Sequence, residues 1–290
     1  MKKIKAAIIG TGNIGTDLLI KILRTDFIEL VAFVGRRKES EGIKTAVKHG
    51  VRVSYDAIDF FINNENICDV VYDCTSAEYA KNHAKIFKKQ GIKVIDLTPA
   101  KVGVMCVPSI NADAIVYSDN INMITCGGQV TLPLINLVSQ HCSKLEYVEL
   151  VSQIASKSAG MATRINVDSY IHTTEEAIKH FTNCDRTKVI LNLNPAEPCV
   201  DMQTTIFIRA EDIDFNNMLV AIQERITSIK EYVPHYELIL PPVINDYDVL
   251  VLSVRVRGLG DYLPSYAGNL DIINCASIKV TERLWEENNE

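Results

Sequence analysis

The sequence predicts an α/β protein: a doubly wound, mostly parallel sheet followed by a second α/β domain with a mixed or antiparallel sheet. Three observations carry this. Short Val/Ile-rich runs alternate with helix-like segments through the first half. A glycine-rich turn, Gly10-Thr11-Gly12-Asn13-Ile14-Gly15, follows the first apolar run and opens the first helix-like segment. In the second half the apolar runs lengthen or alternate, and fewer helices separate them.

The expected strands of the first half are Lys5–Ile9, Glu29–Gly35, Asp69–Asp73, Lys93–Ile95 and Ile121–Thr125. Among its helices, Thr16–Leu23 carries Leu19, Ile20 and Leu23 at helical spacing, and Ala77–Lys89 closes on a Lys-rich turn before Gly91. The second half gives strands at Tyr147–Ala155, Val189–Leu193, Thr204–Arg209 and Val249–Val256, with helices near Val167–Phe181 and Phe215–Lys230. In Leu270–Leu284, the residues Leu270, Ile273, Ser277, Val280 and Leu284 share one helical face. A closing helix of this kind returns to the first domain. The expected division is therefore discontinuous: residues 1–126 with 268–290 for a dinucleotide-binding domain, and 127–267 for a catalytic and dimerisation domain.

Composition narrows the function classes. Of 290 residues, 47% are hydrophobic and 23% charged, which excludes collagen, coiled coil and disorder. Lys+Arg is 30 against 36 Asp+Glu, a net charge of -6 without a basic block, so neither nucleic acid nor a membrane surface is an expected partner. The 8 cysteines are scattered, with no CxxC and no Cys/His cluster at zinc spacing, so no metal site is expected. The opening MKKIKAAIIG lacks the long apolar core of a secretory leader, and no run reaches membrane-spanning length. The expectation is a cytoplasmic protein with reduced thiols.

The turn from Gly10 to Gly15 is GxGxxG in the strand–turn–helix context that gives it meaning. Its first two glycines allow a tight turn and close approach of a pyrophosphate. The third lets helix and strand pack closely, and the helix N-terminus supplies free N–H groups. The bland alternative is a structural turn. An acidic residue at the end of the second strand would bind the ribose hydroxyl of NAD. Here the strand ends Gly35-Arg36-Arg37-Lys38. Two guanidinium groups at this place favour the 2′-phosphate of NADP over NAD, against the alternative of a solvated basic loop.

One cysteine stands apart. Cys126 follows the run Ile121–Thr125 and precedes Gly127-Gly128-Gln129, just before a helix-like stretch that extends to about His141. Strand ends are where ligands bind in open α/β sheets, and a helix N-terminus favours a thiolate. The glycines leave backbone N–H groups to hold an oxyanion, and Gln129 is placed to donate to the same oxygen or to orient a substrate. The alternative is a small core residue. Cys68, Cys74, Cys106, Cys142 and Cys275 suit that reading, whereas Cys184 and Cys199 fall near loops.

With these residues in view, the chain resembles the acylating acetaldehyde dehydrogenase family, the partners of bacterial 4-hydroxy-2-oxovalerate aldolases. The likeness runs in order through AIIGTGNIGTDL from Ala7, IDLTPA from Ile95, NMITCGGQVTLP from Asn122, SKSAG from Ser156, NPAEP from Asn194, YVPHY from Tyr232 and YLPSYAGNLDI from Tyr262. The resemblance implies a Rossmann domain plus an α/β domain with dimer contacts, a homodimer and an aldolase partner. It implies Cys126 as nucleophile and cofactor contacts from Thr11, Gly12, Asn13 and Ile14. It adds a second cofactor segment, Ser158, Ala159, Gly160, Arg164 and Asn166, and a further Asn at Asn269. Taken alone, these would read as a polar turn and a helix cap. Met161-Ala162 stand where the family has Pro-Gly, and Arg36-Arg37 replace a usual acidic residue. Thr204 stands at a usual Asp, with Asp201 nearby, and the stretch from Tyr236 to Tyr262 is short.

The expected reaction joins a short aldehyde, coenzyme A and NAD(P)+ to give acyl-CoA and NAD(P)H through a thioester on Cys126. The general base is open between Asp201, a water and none. Two other readings compete: a phosphorylating semialdehyde dehydrogenase, and a non-catalytic dinucleotide-binding sensor or scaffold subunit.

Overall fold

The computed structural model describes residues 2–160, 164 and 167–289. The chain divides into two units, one of Met1–Ile124, Asp261–Leu263 and Ile273–Glu290, the other of Thr125–Gly260 and Pro264–Ile272.

The first unit is built on a parallel sheet. Its strands are β1 (Ile4–Ile9), β2 (Ile28–Val34), β3 (Val53–Ser54), β4 (Val70–Asp73), β5 (Lys93–Asp96), β6 (Val104–Met105) and β7 (Asn120–Asn122). They lie in the order β3-β2-β1-β4-β5-β7-β6. Ala6, Ala7, Ile8 and Ile9 of β1 are all buried, which is why that strand is an unbroken apolar run rather than an alternating one. Helix α1 (Asn13–Ile22) starts directly after β1 and buries Leu18, Leu19 and Ile22. Helix α2 (Glu41–Lys48) is capped by Ser40, whose hydroxyl accepts from the Ile43 N–H. After the short α3 (Ile58–Ile62), α4 (Ala77–Gln90) ends at Gly91, left-handed at φ 68, whose N–H donates to the Lys88 carbonyl. A further short helix, α5 (Pro108–Asn111), precedes β7.

The expected strand Ile121–Thr125 is shorter than its sequence. Pairing with β5 stops at Asn122. The reason is the Asn122 side chain. Its oxygen accepts from the Ile124 N–H at 2.9 Å, and its amide donates to Asp96 Oδ2 at 3.2 Å and to the Thr98 carbonyl at 3.1 Å. The chain turns out of the sheet there, with Ile124 at φ 64, an unusual conformation for a β-branched residue.

The second unit opens with α6 (Cys126–Gln140) and continues through β8 (Lys144–Ala155), α7 (Val167–Thr182), β9 (Thr187–Asn194), β10 (Met202–Glu211), α8 (Phe215–Tyr232), β11 (Tyr236–Ile244) and β12 (Leu250–Val256). The sheet order is β11-β12-β10-β8-β9. Pairing is antiparallel except between β8 and β9, so the sheet is mixed. Helix α6 packs on β8, β10 and β12, with α7 beside β9 and α8 beside β11. Alternation follows: Met202, Thr204, Ile206 and Ile208 of β10 are buried under the helices, while Gln203, Thr205, Phe207 and Arg209 face the other way and retain exposure. The last helix, α9 (Gly268–Glu287), begins in this unit's final segment and continues in the first unit. There the Thr281 hydroxyl meets the Tyr72 hydroxyl at 2.5 Å, and Asn274 donates to Asp17 at 2.8 Å. No helix among the described residues is long and apolar enough to cross a membrane.

Candidate functional site

In the first unit the glycine loop shows a separate reason for each glycine. Gly10 has φ +111, and a Cβ there would lie 2.5 Å from the Cys74 carbonyl oxygen. A Cβ on Gly15 would lie 2.0 Å from the Gly10 carbonyl oxygen, so α1 and the loop touch through bare backbone. Gly12 differs: nothing lies within 4 Å of where its Cβ would be. It is exposed, as is Asn13, at the start of α1. Two glycines are thus required by the protein's own packing, and the third leaves open space at a helix N-terminus. Such a cradle fits a dinucleotide pyrophosphate. Thr11 borders it and accepts from the Ser40 hydroxyl at 3.2 Å, whereas Ile14 is half-buried.

Arg36 and Arg37 lie just past β2 and are both exposed. The Arg36 guanidinium sits 4.6 Å from the centre of the Tyr79 ring and donates to the Tyr79 hydroxyl at 2.8 Å. Arg36 is therefore held against the first turn of α4 rather than left in solvent.

Cys126 is the first residue of α6, with Thr125 as N-cap. The Thr125 hydroxyl accepts from the Gly128 N–H at 3.0 Å, and the Thr125 carbonyl from the Gln129 N–H at 2.9 Å. This corrects the expectation that the glycine amides are free to hold an oxyanion: Gly128 is committed to the cap. The amides of Cys126 and Gly127 are the ones that favour a charged sulfur. The expected thiolate is corrected too. The residue retains some solvent exposure, but its sulfur lies against packed protein, and burial pushes the thiol up to about 11. The Tyr170 hydroxyl acts in the opposite direction, ahead of the two backbone amides. Burial drives the thiols of Cys68 and Cys106 up to about 12. Cys184, placed near a loop from sequence, is buried, and none of the 8 cysteines is in a disulfide.

Elsewhere in the second unit, Gln129 is buried on α6. Ser158 is buried and donates to the Ala155 carbonyl at 2.8 Å. Ala159 is buried, and Gly160 is exposed. Arg164 donates to the Ala159 carbonyl at 3.0 Å and to the Ser156 carbonyl and hydroxyl, each at 2.8 Å, so it ties down its own turn. Asn166 lies outside the described residues. Asn269 is buried in the first turn of α9 with its side-chain oxygen unpartnered, an open acceptor suited to a ligand N–H. Asp201 is taken up by Arg257, which donates to it at 3.0 Å and 3.2 Å. Thr204 is fully buried, its hydroxyl 2.9 Å from that of Ser152.

The residues missed from sequence are Thr125, Ser152, Tyr170 and Thr174. Thr125 was readable, because a threonine ahead of a helix start is a capping signal. Tyr170 and Ser152 carry no local signal; only the packing of α7 and β8 brings them to Cys126.

Solved structures share this architecture. An aspartate semialdehyde dehydrogenase II from Vibrio cholerae, complexed with ASA, matches over 99% of both chains at a TM-score of 0.69 and 13% identity. An aspartate semialdehyde dehydrogenase with NADP from Candida albicans matches over 97% of this chain and 100% of its own at 0.67 and 12%. At such identity the likeness shows the fold alone. A parallel sheet with an open glycine loop in one unit, and in the other a mixed sheet backed by a helix that begins on a cysteine, define the class: dinucleotide-dependent oxidoreductases acting on aldehydes. A family model for the semialdehyde dehydrogenase NAD-binding domain matches residues 5–118, and one for the prokaryotic acetaldehyde dehydrogenase dimerisation domain matches residues 126–264. Acetaldehyde dehydrogenases of Spirochaeta aurantia and Pectobacterium atrosepticum are each 50% identical to it, over 97% and 98% of this chain and 94% and 96% of their own. The chain belongs to the acylating acetaldehyde dehydrogenase family.

Proposed function

We propose that the protein is a coenzyme A-acylating aldehyde dehydrogenase that carries its acyl group on Cys126. The observation that carries this reading is Cys126 at the first position of α6, with its own amide and that of Gly127 favouring the charged sulfur. The thiolate attacks the carbonyl carbon of a short aldehyde, forming a carbon–sulfur bond and leaving an oxyanion on the thiohemiacetal. The helix-start amides then serve that oxygen, and buried Gln129 orients the substrate. A nicotinamide dinucleotide, which the Gly10–Gly15 loop would hold, would supply the hydride acceptor for this carbon, or the hydride donor in the reverse direction. Cys126 is left holding a thioester. The thiol of coenzyme A attacks it, and the Cys126 sulfur departs as thiolate. Burial around Cys126 keeps water from the thioester.

The open space at Gly12 supports pyrophosphate binding by the Gly10–Gly15 loop, while a cofactor role for Asn269 rests on the family resemblance. Arg36, held against Tyr79, is the residue we assign to the 2′-phosphate, with Arg37 beside it, so NADP is the favoured cofactor. A second copy of this chain is the expected partner through the matched dimerisation domain. Coenzyme A as co-substrate and an aldolase as a further partner rest on the family resemblance. Eight cysteines without a disulfide suit a reducing compartment, and we place the protein in the cytoplasm.

The test is a panel of short acyl-CoAs with NADPH and with NADH, read as loss of reduced-cofactor absorbance, with intact mass reporting an acyl adduct. Cys126→Ser abolishes turnover and adduct while cofactor affinity stays within about twofold. Full turnover in that variant overturns the reading. Turnover with inorganic phosphate in place of coenzyme A selects the phosphorylating alternative. Cofactor binding with no turnover on any acceptor selects the non-catalytic one.

A further inference from the structure

The strongest unexplained group in the second unit is the side chain of Tyr170. It projects from α7 and is buried, at 8% exposure. Its hydroxyl is enclosed and completes no hydrogen bond of normal geometry among the described residues. Leaving a phenol in this state is unfavourable, and a phenylalanine would fill the same space without that cost. The position of the hydroxyl is nonetheless tightly fixed. A Cβ on Gly127 would lie 2.1 Å from the Tyr170 oxygen, so Gly127 is bare where the hydroxyl passes. The groups around that oxygen are the Cys126 sulfur, the Ser152 hydroxyl and the Gly127 amide.

Tyr170 is clamped at both ends. Its carbonyl accepts from the Thr174 hydroxyl at 2.7 Å, and that hydroxyl lies 2.8 Å from the hydroxyl of Thr125, the cap of α6. At the ring's tip, Ser152 is itself 2.9 Å from buried Thr204. The start of α6 and the side chain of Tyr170 are therefore held in one network of hydroxyls.

We propose that the Tyr170 hydroxyl is a catalytic hydrogen-bond donor to the Cys126 sulfur, held in place by the Ser152–Thr204 pair. The proposal rests on Cys126 being the nucleophile. Burial, then the neighbouring sulfur, hold the phenol well above its usual range, so it keeps its proton and donates wherever the enzyme works. While Cys126 is a neutral thiol the hydroxyl has little to bond. When the thiolate forms, it gains a charge-assisted bond. The cost of burying the hydroxyl is thus borne in the resting state and recovered in the reactive one, which favours the reaction.

The experiment is alkylation of Cys126 by iodoacetamide between pH 6 and pH 11, followed by peptide mass. It is run on the wild-type protein, Tyr170→Phe and Ser152→Ala, alongside the pH profile of turnover. In Tyr170→Phe alkylation slows about tenfold across this range, the equivalent of about one pH unit. Turnover falls by a similar factor, with KM for acyl-CoA changed less than about threefold. Ser152→Ala slows alkylation in the same way, by less. Cofactor affinity and melting temperature of Tyr170→Phe serve as controls on folding. Alkylation of Tyr170→Phe at the wild-type rate overturns the proposal, whether turnover is unchanged or lower. Full turnover in Cys126→Ser overturns the underlying reading instead.

Discussion

Replacing Gly12 by alanine separates what the glycine loop does for the fold from what it does for a ligand. The new methyl group meets nothing within 4 Å, and the backbone, at φ -81 and ψ -169, suits alanine. The protein loses only the preference of the helix cap for glycine over alanine, about 0.5–1 kcal/mol. For a chain of this size that lowers Tm by about 1–4 °C. At Gly15 the same methyl lands 2.0 Å from the Gly10 carbonyl oxygen, which cannot swing aside as a side chain would. Overpacking of that kind costs about 1–3 kcal/mol, so Gly15→Ala melts distinctly lower than Gly12→Ala. Binding follows a different order. The methyl of Gly12→Ala occupies the space assigned to the pyrophosphate, and the Kd for NADPH rises about tenfold or more, a loss of about 1.4 kcal/mol. Calorimetry gives the first quantity and a fluorescence titration the second. If Gly12→Ala binds NADPH as the wild type does, the open space is not the pyrophosphate site.

Two other perturbations test the frame around the site. Thr125→Ala removes the acceptor for the Gly128 N–H and the partner of Thr174. It costs about 1–2 kcal/mol, visible as a lower urea midpoint, and lowers turnover; Thr125→Ser restores most of both, and an unchanged midpoint in the alanine variant refutes the capping argument. Asp96 gives a pH test. Burial, then the neighbouring Asp73, push its carboxyl from 3.8 up to about 7. The folded protein holds a proton there that the unfolded chain releases, so Asp96 costs stability as pH rises from about 4 to about 7. The stability of Asp96→Asn relative to wild type is therefore greater at pH 8 than at pH 4.5, and equal differences at the two pH values sink this assignment.

The contrast between β1 and Ile121–Thr125 shows what a sequence can reveal. Both read as apolar runs. β1 forms over Ile4–Ile9, with one register shift against β2 between Ala6 and Ala7. The second run is broken by the hydrogen bonds of Asn122, a long-range effect involving Asp96 and Thr98. The short strands β3 and β6 and the short helices α2, α3 and α5 leave too little pattern to detect. At the site, the glycine loop and Cys126 were legible because their chemistry is written in consecutive residues. The thiol's elevated pKa was not, because burial depends on what packs around the sulfur. Arg36 was legible as a charge but not as a partner of Tyr79, since strand pairing alone brings β2 near the start of α4.

The course of α9 bears on how the chain is made. Val280 and Leu284 are buried in the first unit, and Thr281 and Asn274 hold Tyr72 and Asp17 there. The β1–β7 sheet is thus completed by a helix that lies beyond most of the second unit in sequence. Synthesis at about 5–20 residues per second leaves the nascent β1–β7 sheet without its closing helix for roughly 10–30 s, while the whole second unit is translated. Through that interval the apolar positions that α9 later covers must be shielded by other means. Truncation before α9 would expose a defect in the N-terminal sheet, far from the cut in sequence.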